Sequence, residues 1–293
     1  MKKDHISLWI EEAEQKSDRD FRMAVHTVLT AIAMIGTDID MTLKGGLLLA
    51  IQYQSRRYTK DIDFSTKSRY SDFNTDYFLS ELQKGLNSAC AKLPYETDCK
   101  IQSHKLNPKN PDATFPTLTI KIGYAKKGSN EHKRLLKSST INVIPIDYSF
   151  NEITHESEIL FLSDDNSLKI YSFTEIIAEK IRSLLQQEVR NRFRRQDVYD
   201  LHFLMKHKPI DELQRKRILD ILIAKSVSRG LKLDETSISE AKIIARAERD
   251  YSSLSQEIDC ELPPFDEAYS MISNFYKSLP WETINQDFIN FSL

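Results

Sequence analysis

The stretch from Leu43 to Ser65, LKGGLLLAIQYQSRRYTKDIDFS, most constrains what this chain can fold into. A short apolar segment runs into a Gly-Gly pair, then an apolar run long enough for one helix, then Asp61-Ile62-Asp63-Phe64 at strand spacing. That order predicts strand, tight turn, helix, strand. Side chains alternate along a strand, so Asp61 and Asp63 share one face and Ile62 and Phe64 the other. Gly45 and Gly46 let the backbone approach an anion, and the N-terminus of the following helix offers N–H groups to it. Two carboxylates on one strand face repel each other, and a divalent cation relieves that repulsion while neutralising a bound triphosphate. An Asp-x-Asp or a Gly-Gly pair taken singly is more often a solvated strand end or a plain turn. Their combination in one unit points to metal and phosphate binding.

The chain has 293 residues, enough for one large domain or two modest ones with a real core, and two are favoured. Its formal net charge of -2 gives no global argument for a polyanionic partner, so any such site must come from local clustering. Cys90, Cys99 and Cys260 are odd in number and lack CxxC spacing, which suggests neither zinc nor a disulfide framework and fits a reducing compartment. The N-terminal segment turns acidic and amphipathic where a signal peptide needs an unbroken apolar core. No later run approaches the roughly 18 apolar residues of a membrane span. A soluble, cytoplasmic protein without a membrane partner is expected.

Along the chain, Ile6 to about Gly36 has helical spacing with a polar break near Ser17-Asp18, which predicts a pair of packing helices. Thr42 to Lys44 would be the first strand and Leu47 to Gln54 the helix leaving the glycine turn. Tyr70 to Leu93 is helical and stopped by Pro94, and then the period changes. Lys100 to Leu106, Thr117 to Tyr124 and Thr140 to Phe150 read as strands, and the segments KLNPKNPDATFP and AKKGSNEHKR between them as loops. Asp147, on the third of these strands, would be costly to bury without a partner. Taken alone it is an acid at a strand end. If its strand lies beside the one carrying Asp61 and Asp63, three carboxylates converge. Pro145 argues for an edge position or a bulge there.

Strand signals nearly vanish after the polar linker at Asp164-Asp165-Asn166-Ser167. This places the domain boundary there: residues 1–165 as an α/β domain with N-terminal helices, 166–293 as a helical C-terminal domain. Ser172-Phe173-Thr174-Glu175 reads as a capping box opening a helix. Arg190, Arg192, Arg194 and Arg195 then put four arginines into six residues without an interleaved acid. Such a run is either a solvated face or a set of phosphate contacts of the kind RNA or a triphosphate requires. The segments Ile210 to Arg229, Ser237 to Tyr251 and Pro264 to Ser278 have ordinary amphipathic spacing and predict a helical bundle. Trp281, Phe288 and Phe291 would pack a C-terminal tail onto it.

Taken together, Lys44-Gly45-Gly46, the RxTxDIDF segment from Arg57 to Phe64, the later strand Asp, and EKIRSLL followed by RRQDVYDL resemble the AbiEii/AbiGii toxin family, the DUF1814 or MenT-type nucleotidyltransferases, over about residues 40 to 205. The resemblance implies a polymerase-beta-like nucleotidyltransferase fold with a mixed sheet and a helical C-terminal part. It further implies the toxin of a type IV toxin-antitoxin pair, with a role in phage defence and a cognate antitoxin of winged-helix regulator type. It makes Gly45-Gly46 the glycine turn, Asp61 and Asp63 the metal-binding acids and Asp147 a less strictly placed third acid. Lys180 matches the helix lysine that holds nucleotide, and Asp197 the essential acid of the final motif. Gly46 stands where the wider superfamily usually has Ser, so backbone N–H groups must serve the phosphate there.

The expected reaction is metal-dependent transfer of a nucleoside monophosphate from an NTP to an acceptor, with release of pyrophosphate. Asp61 and Asp63 would hold Mg²⁺ or Mn²⁺, and Asp147 would complete a second metal site or orient the acceptor hydroxyl as general base. Lys44, Arg57 and Lys180 are candidate phosphate ligands, and Thr59 either joins them or steadies the turn. Arg57 has the alternative of a structural ion pair with Asp61 or Asp63, and Asp197 that of a helix cap or a partner to the neighbouring arginines. The resemblance and the arginine run favour RNA as acceptor, a tRNA 3′ end in particular. The helix carrying Lys180 would face the acids across the domain boundary. Two rivals stand beside this reading: modification of a small hydroxylated molecule or protein side chain, and a catalytically silent module that binds nucleotide or antitoxin.

Overall fold

The computed structural model describes residues 5–35, 39–110 and 112–284. These residues form two compact units, one comprising the chain up to Gln54 together with Thr59–Tyr171, the other Ser55–Tyr58 together with the chain from Ser172 onward.

The first unit opens with helices α1 (His5–Glu11) and α2 (Lys16–Met34), so the break between them falls just before Ser17-Asp18. Strand β1 (Thr42–Lys44) leads into α3 (Gly45–Tyr53) and then β2 (Ile62–Ser65). Helix α4 (Thr75–Lys92) is capped by Asn74, whose side chain accepts from the Tyr77 N–H. It is followed by β3 (Thr97–Asn107) and β4 (Thr117–Lys126). Helix α5 (Asn130–Leu136), β5 (Val143–Ser149), β6 (Ser157–Phe161) and β7 (Ser167–Tyr171) complete the unit. The seven strands make one mixed sheet in the order β3-β4-β5-β2-β1-β7-β6. A mixed sheet followed by helices is what the sequence predicts.

Strand alternation sorts the sheet into two chemically distinct faces. Leu43, Ile62, Phe64, Ile120, Ile122, Ile144, Ile146 and Tyr148 are all buried, as are the facing residues Val25 and Leu29 of α2 and Phe78, Leu82 and Leu86 of α4. Phe78 meets the Tyr148 ring at 5.8 Å and Phe21 meets Tyr124 at 6.3 Å, which ties both helices to that apolar face. Each such ring or branched side chain contributes about 1.5–3 kcal/mol on burial. Helices α2 and α4 approach closely because position 85 is glycine: a Cβ there would lie 2.6 Å from the Ala31 carbonyl oxygen.

Three expectations are corrected in this unit. Helix α5 begins within the segment AKKGSNEHKR, read as a polar loop, and its N-cap Ser129 accepts from the His132 N–H. Its single buried apolar residue, Leu135, gives too little periodicity to be seen in sequence. Pro145 lies in an interior strand, between β4 and β2, and not at an edge. It is tolerated because the parallel pairing with β2 begins one residue later, at Ile146, so its missing N–H faces no partner on that side. The polar break at Asp164–Ser167 does not end the strands: it leads out of the turn after β6 into the first residue of β7, and the two strands pair antiparallel. The division between the units therefore follows Tyr171.

The second unit is helical: α6 (Phe173–Leu185), α7 (Arg195–His207), α8 (Glu212–Val227), α9 (Ala241–Glu248) and α10 (Phe265–Lys277). Ser172 caps α6 by accepting from the Glu175 N–H at 3.1 Å. The Glu175 side chain itself is fully buried against Lys225 of α8, with 2.7 Å between Oε1 and Nζ. Helix α8 opens with a full capping box between Asp211 and Gln214. Trp281 closes onto α10, its Nε1 donating to the Tyr276 carbonyl at 2.9 Å. Phe288 and Phe291 lie outside the described residues. No helix among the described residues is long and apolar enough to cross a membrane.

Candidate functional site

The polar face of the sheet carries the acids. Cross-strand register aligns Lys44 of β1 with Asp63 of β2, Asp63 with Asp147 of β5, and Asp147 with Thr119 of β4. A parallel row of hydroxyls lies next to it: Thr42, Ser65, Ser149 and Thr117 occupy the same four strands in register. Strand β5 thus lies beside β2, with Asp147 directly opposite Asp63.

Each acid has a distinct setting. Asp63 is half-buried, and its carboxylate occupies the space over Gly45, whose φ of +77° is a left-handed conformation that favours glycine. A Cβ at position 45 would fall 2.1 Å from Asp63 Oδ2. Gly46 follows in the first turn of α3, and Lys44, at the N-cap position, makes no side-chain cap bond to that helix. Asp147 accepts a 2.7 Å hydrogen bond from the Thr119 hydroxyl, and Thr119 in turn accepts from Asn107 Nδ2 at 3.2 Å. This relay fixes one oxygen of Asp147. Asp61 immediately precedes β2, and its carboxyl is pushed above the usual range by partial burial and by the negative charge of Asp147, with Lys60 opposing. Lys44 is ion-paired with Glu152, and its ammonium lies 6.0 Å over the Tyr171 ring. Thr59 is half-buried.

The donor set suits a hard divalent cation, since it consists of carboxylates alone. Among the described residues no three Asp, Glu, His or Cys side chains are gathered closely enough to hold an ion. An ion at this row would therefore be held by a carboxylate pair, with phosphate oxygens and water completing its shell, as is usual for Mg²⁺.

The RxTxDIDF motif is divided between the units. Its acids belong to the sheet, whereas Arg57 belongs with the helices, in a segment that forms a bridge from Arg57 to Ile258. Arg57 does not pair with Asp61 or Asp63. Its Nε and Nη2 grip the two oxygens of Asp200, each at 2.9 Å. Lys180 donates to Asp200 Oδ2 at 2.7 Å and to Asp197 Oδ1 at 2.8 Å. Two cations and two carboxylates thus neutralise one another in the interior of the second unit. Burial alone would lower the proton affinity of Lys180, but Asp197 and Asp200 overcome it and raise it. Burial would raise that of the Asp200 carboxyl, and Lys180 and Arg57 overcome it and lower it. Asp197 retains one buried oxygen, Oδ2, with no hydrogen-bond partner among the described residues; Arg194 Nη1 approaches it only to 3.9 Å.

The arginine run is not uniform. Arg195 is paired with Glu257 at 3.1 Å, Arg194 is half-buried near Asp197, and Arg190 and Arg192 are exposed. The residues missed in sequence are Asp200, Glu152 and Thr119. Asp200 stands three positions after Asp197, hence on the same helix face, and Thr119 alternates with Leu118 and Ile120 on the strand; both signals were present. Glu152 joins Lys44 across a long chain separation and left none.

The family model for the nucleotidyl transferase AbiEii toxin of type IV toxin-antitoxin systems matches residues 27–271. Among solved structures, JHP933 from Helicobacter pylori is similar at 15% identity, covering 91% of this chain and 93% of that one, with a TM-score of 0.50. An antigenic nucleotidyltransferase-like protein from Paracoccidioides brasiliensis is similar at 16% identity over 82% of this chain and 94% of that one, with a TM-score of 0.42. At such identity the first likeness is one of fold alone. No match is found among curated proteins. The family match spans most of both units, sheet and helices alike, and the chain belongs to the AbiEii family of nucleotidyl transferase toxins of type IV toxin-antitoxin systems.

Proposed function

We propose that this chain transfers a nucleoside monophosphate from an NTP to the 3′ end of an RNA, a tRNA in particular, and that the acidic row of the sheet performs the chemistry. The observation that carries this reading is the register of Asp63 with Asp147, beside a glycine whose missing side chain leaves room for the Asp63 carboxylate. The acceptor hydroxyl oxygen attacks the α-phosphorus, the bond to the bridging oxygen of the β-phosphate breaks, and pyrophosphate leaves. Asp61 and Asp63 would hold a divalent ion, Mg²⁺ or Mn²⁺. That ion would supply neutralisation of the phosphate oxygens and of the departing pyrophosphate. Asp147, oriented by Thr119, accepts the proton of the hydroxyl through its other oxygen. The backbone N–H groups at the start of α3 receive phosphate oxygens, and Lys44 balances charge at the end of the row. As a type IV toxin the chain has an antitoxin partner, which we take to be of the winged-helix regulator type.

The test incubates the protein with each α-labelled NTP, Mg²⁺ and total RNA, beside an Asp61→Ala/Asp63→Ala variant. Label entering a tRNA band with the wild type alone supports the reading. Label found only on a small molecule or on protein from an added extract overturns the RNA acceptor, and pyrophosphate release equal in both proteins overturns the site.

A further inference from the structure

The loop between α6 and α7 is anchored to α9 by a buried glutamine. Gln187 is fully buried, donates from Nε2 to the Ile243 carbonyl at 3.3 Å, and accepts at Oε1 from the Arg194 N–H at 2.8 Å. Its own carbonyl accepts from the Arg192 N–H at 2.9 Å. The loop it pins presents Arg190, Asn191, Arg192 and Phe193 to solvent. Phe193, 40% exposed, is held by two arginines of α9 and the residues just after it: Arg249 lies 4.3 Å and Arg246 5.5 Å from its ring centroid. Arg246 also donates to Asn191 Oδ1 at 3.3 Å.

The surrounding carboxylates do not cancel this charge. Glu188 is taken by Lys242 at 2.8 Å, and Asp250 approaches Arg249 only to 3.8 Å. Among the described residues neither Arg190 nor Arg192 has a carboxylate partner, and Arg192 is made easier to deprotonate by partial burial and by the like charges of Arg194 and Arg190. Keeping like charges crowded costs stability, and an anion on the patch would relieve it.

We propose that this loop and the adjoining side of α9 form a docking platform for a single-stranded stretch of RNA. The Phe193–Arg249 pair offers a planar stack for an unpaired base, and Arg190, Arg192 and Arg246 take the flanking phosphates. Guanidinium forks match phosphate oxygens, and an exposed ring among arginines is how sequence-tolerant binding to single strands is built. An acidic peptide would use the charges and leave the ring idle. The inference rests on the reading that the acceptor is RNA, and it assigns the residues that hold it.

The test is binding of a labelled single-stranded RNA of mixed sequence, followed by fluorescence anisotropy over a range of salt concentrations. It is run without NTP and in the Asp61→Ala/Asp63→Ala background, so that it does not depend on transfer. Arg192→Gln/Arg190→Gln is expected to reduce the slope of log K against log salt by about 1.4, roughly 0.7 per lost phosphate contact on a single strand. Phe193→Leu is expected to weaken binding about 5-fold or more with the slope unchanged. Arg190 and Arg192 are exposed and have no carboxylate partner among the described residues, so their variant keeps its fold even if the Phe193 variant does not, and thermal melting checks both. Unchanged slope and affinity in the arginine variant overturn the platform, even where label still enters RNA in the transfer assay. Tighter binding to anionic phospholipid vesicles than to RNA also overturns it.

Discussion

The carboxylate of Asp63 occupies the volume that a side chain at position 45 would need: a Cβ built on Gly45 would fall 2.1 Å from Asp63 Oδ2. Turn and acid are thus one device, since the glycine needed for the left-handed φ also leaves the space in which the acid sits. Gly45→Ala should cost about 1–2 kcal/mol in backbone conformation, lowering the melting temperature by roughly 2–8 °C. It should also displace the carboxylate and slow transfer by about 100-fold. Thermal melts and single-turnover transfer measure the two effects separately. A variant that loses stability but transfers at the wild-type rate would show that Asp63 need not sit where it does.

Thr119 orients Asp147 through its hydroxyl, so the size of the side chain matters less than the donor. Thr119→Val keeps the shape and deletes the donor, and transfer should fall by about 10-fold or more, the worth of a hydrogen bond to a charged group. Thr119→Ser should stay close to wild type. Equal rates for the valine and serine variants would remove Thr119 from the mechanism.

The network of Arg57, Lys180, Asp197 and Asp200 stabilises the helical unit only while it is complete. Asp200→Asn leaves two buried cations facing one carboxylate and should cost about 3–5 kcal/mol. By contrast, Arg195→Gln breaks the half-exposed pair with Glu257 and should cost about 1 kcal/mol at most. Urea denaturation of the two variants decides this; a small loss for Asp200→Asn would mean that the network is not what holds these helices.

The same network sets a pH window. The Asp200 carboxyl is lowered in the folded chain, so its contribution is present above the unfolded value of about 3.9 and is lost as pH falls through the folded one. Lys180 is raised, so its contribution is present below about 10.4 and is lost as pH rises through the folded value. The stability difference between wild type and Asp200→Asn should accordingly be flat near neutrality and shrink in acid below about pH 4. A difference that grows on acidification contradicts the assignment.

The stretch from Thr42 to Ser65 was legible because strand alternation, a glycine turn and one helix are all local signals. Asp147 was legible as a candidate because alternation along β5 fixes its face, although its place beside Asp63 depended on strand order. What escaped the sequence was tertiary. Pro145 sits in an interior strand because pairing on one side starts a residue later, a matter of register that no single strand encodes. Arg57 stands four residues before Asp61 yet pairs with Asp200, because the chain crosses from one unit to the other between them. The helix α5 and the strand β6 are short, and with one buried residue each their periods do not rise above the polar background, whereas the alternation of Leu168 and Ile170 in β7 was present and was passed over for the polar break before it.

The most direct test of the acidic row is transfer from α-labelled NTP to RNA by wild type, Asp63→Asn and Asp147→Asn, each first shown to be folded by its melting curve. Wild type should label the RNA 3′ end, and each single variant, which keeps side-chain size and removes one charge, should label it at least about 100-fold more slowly. Labelling by both variants at the wild-type rate would contradict the account.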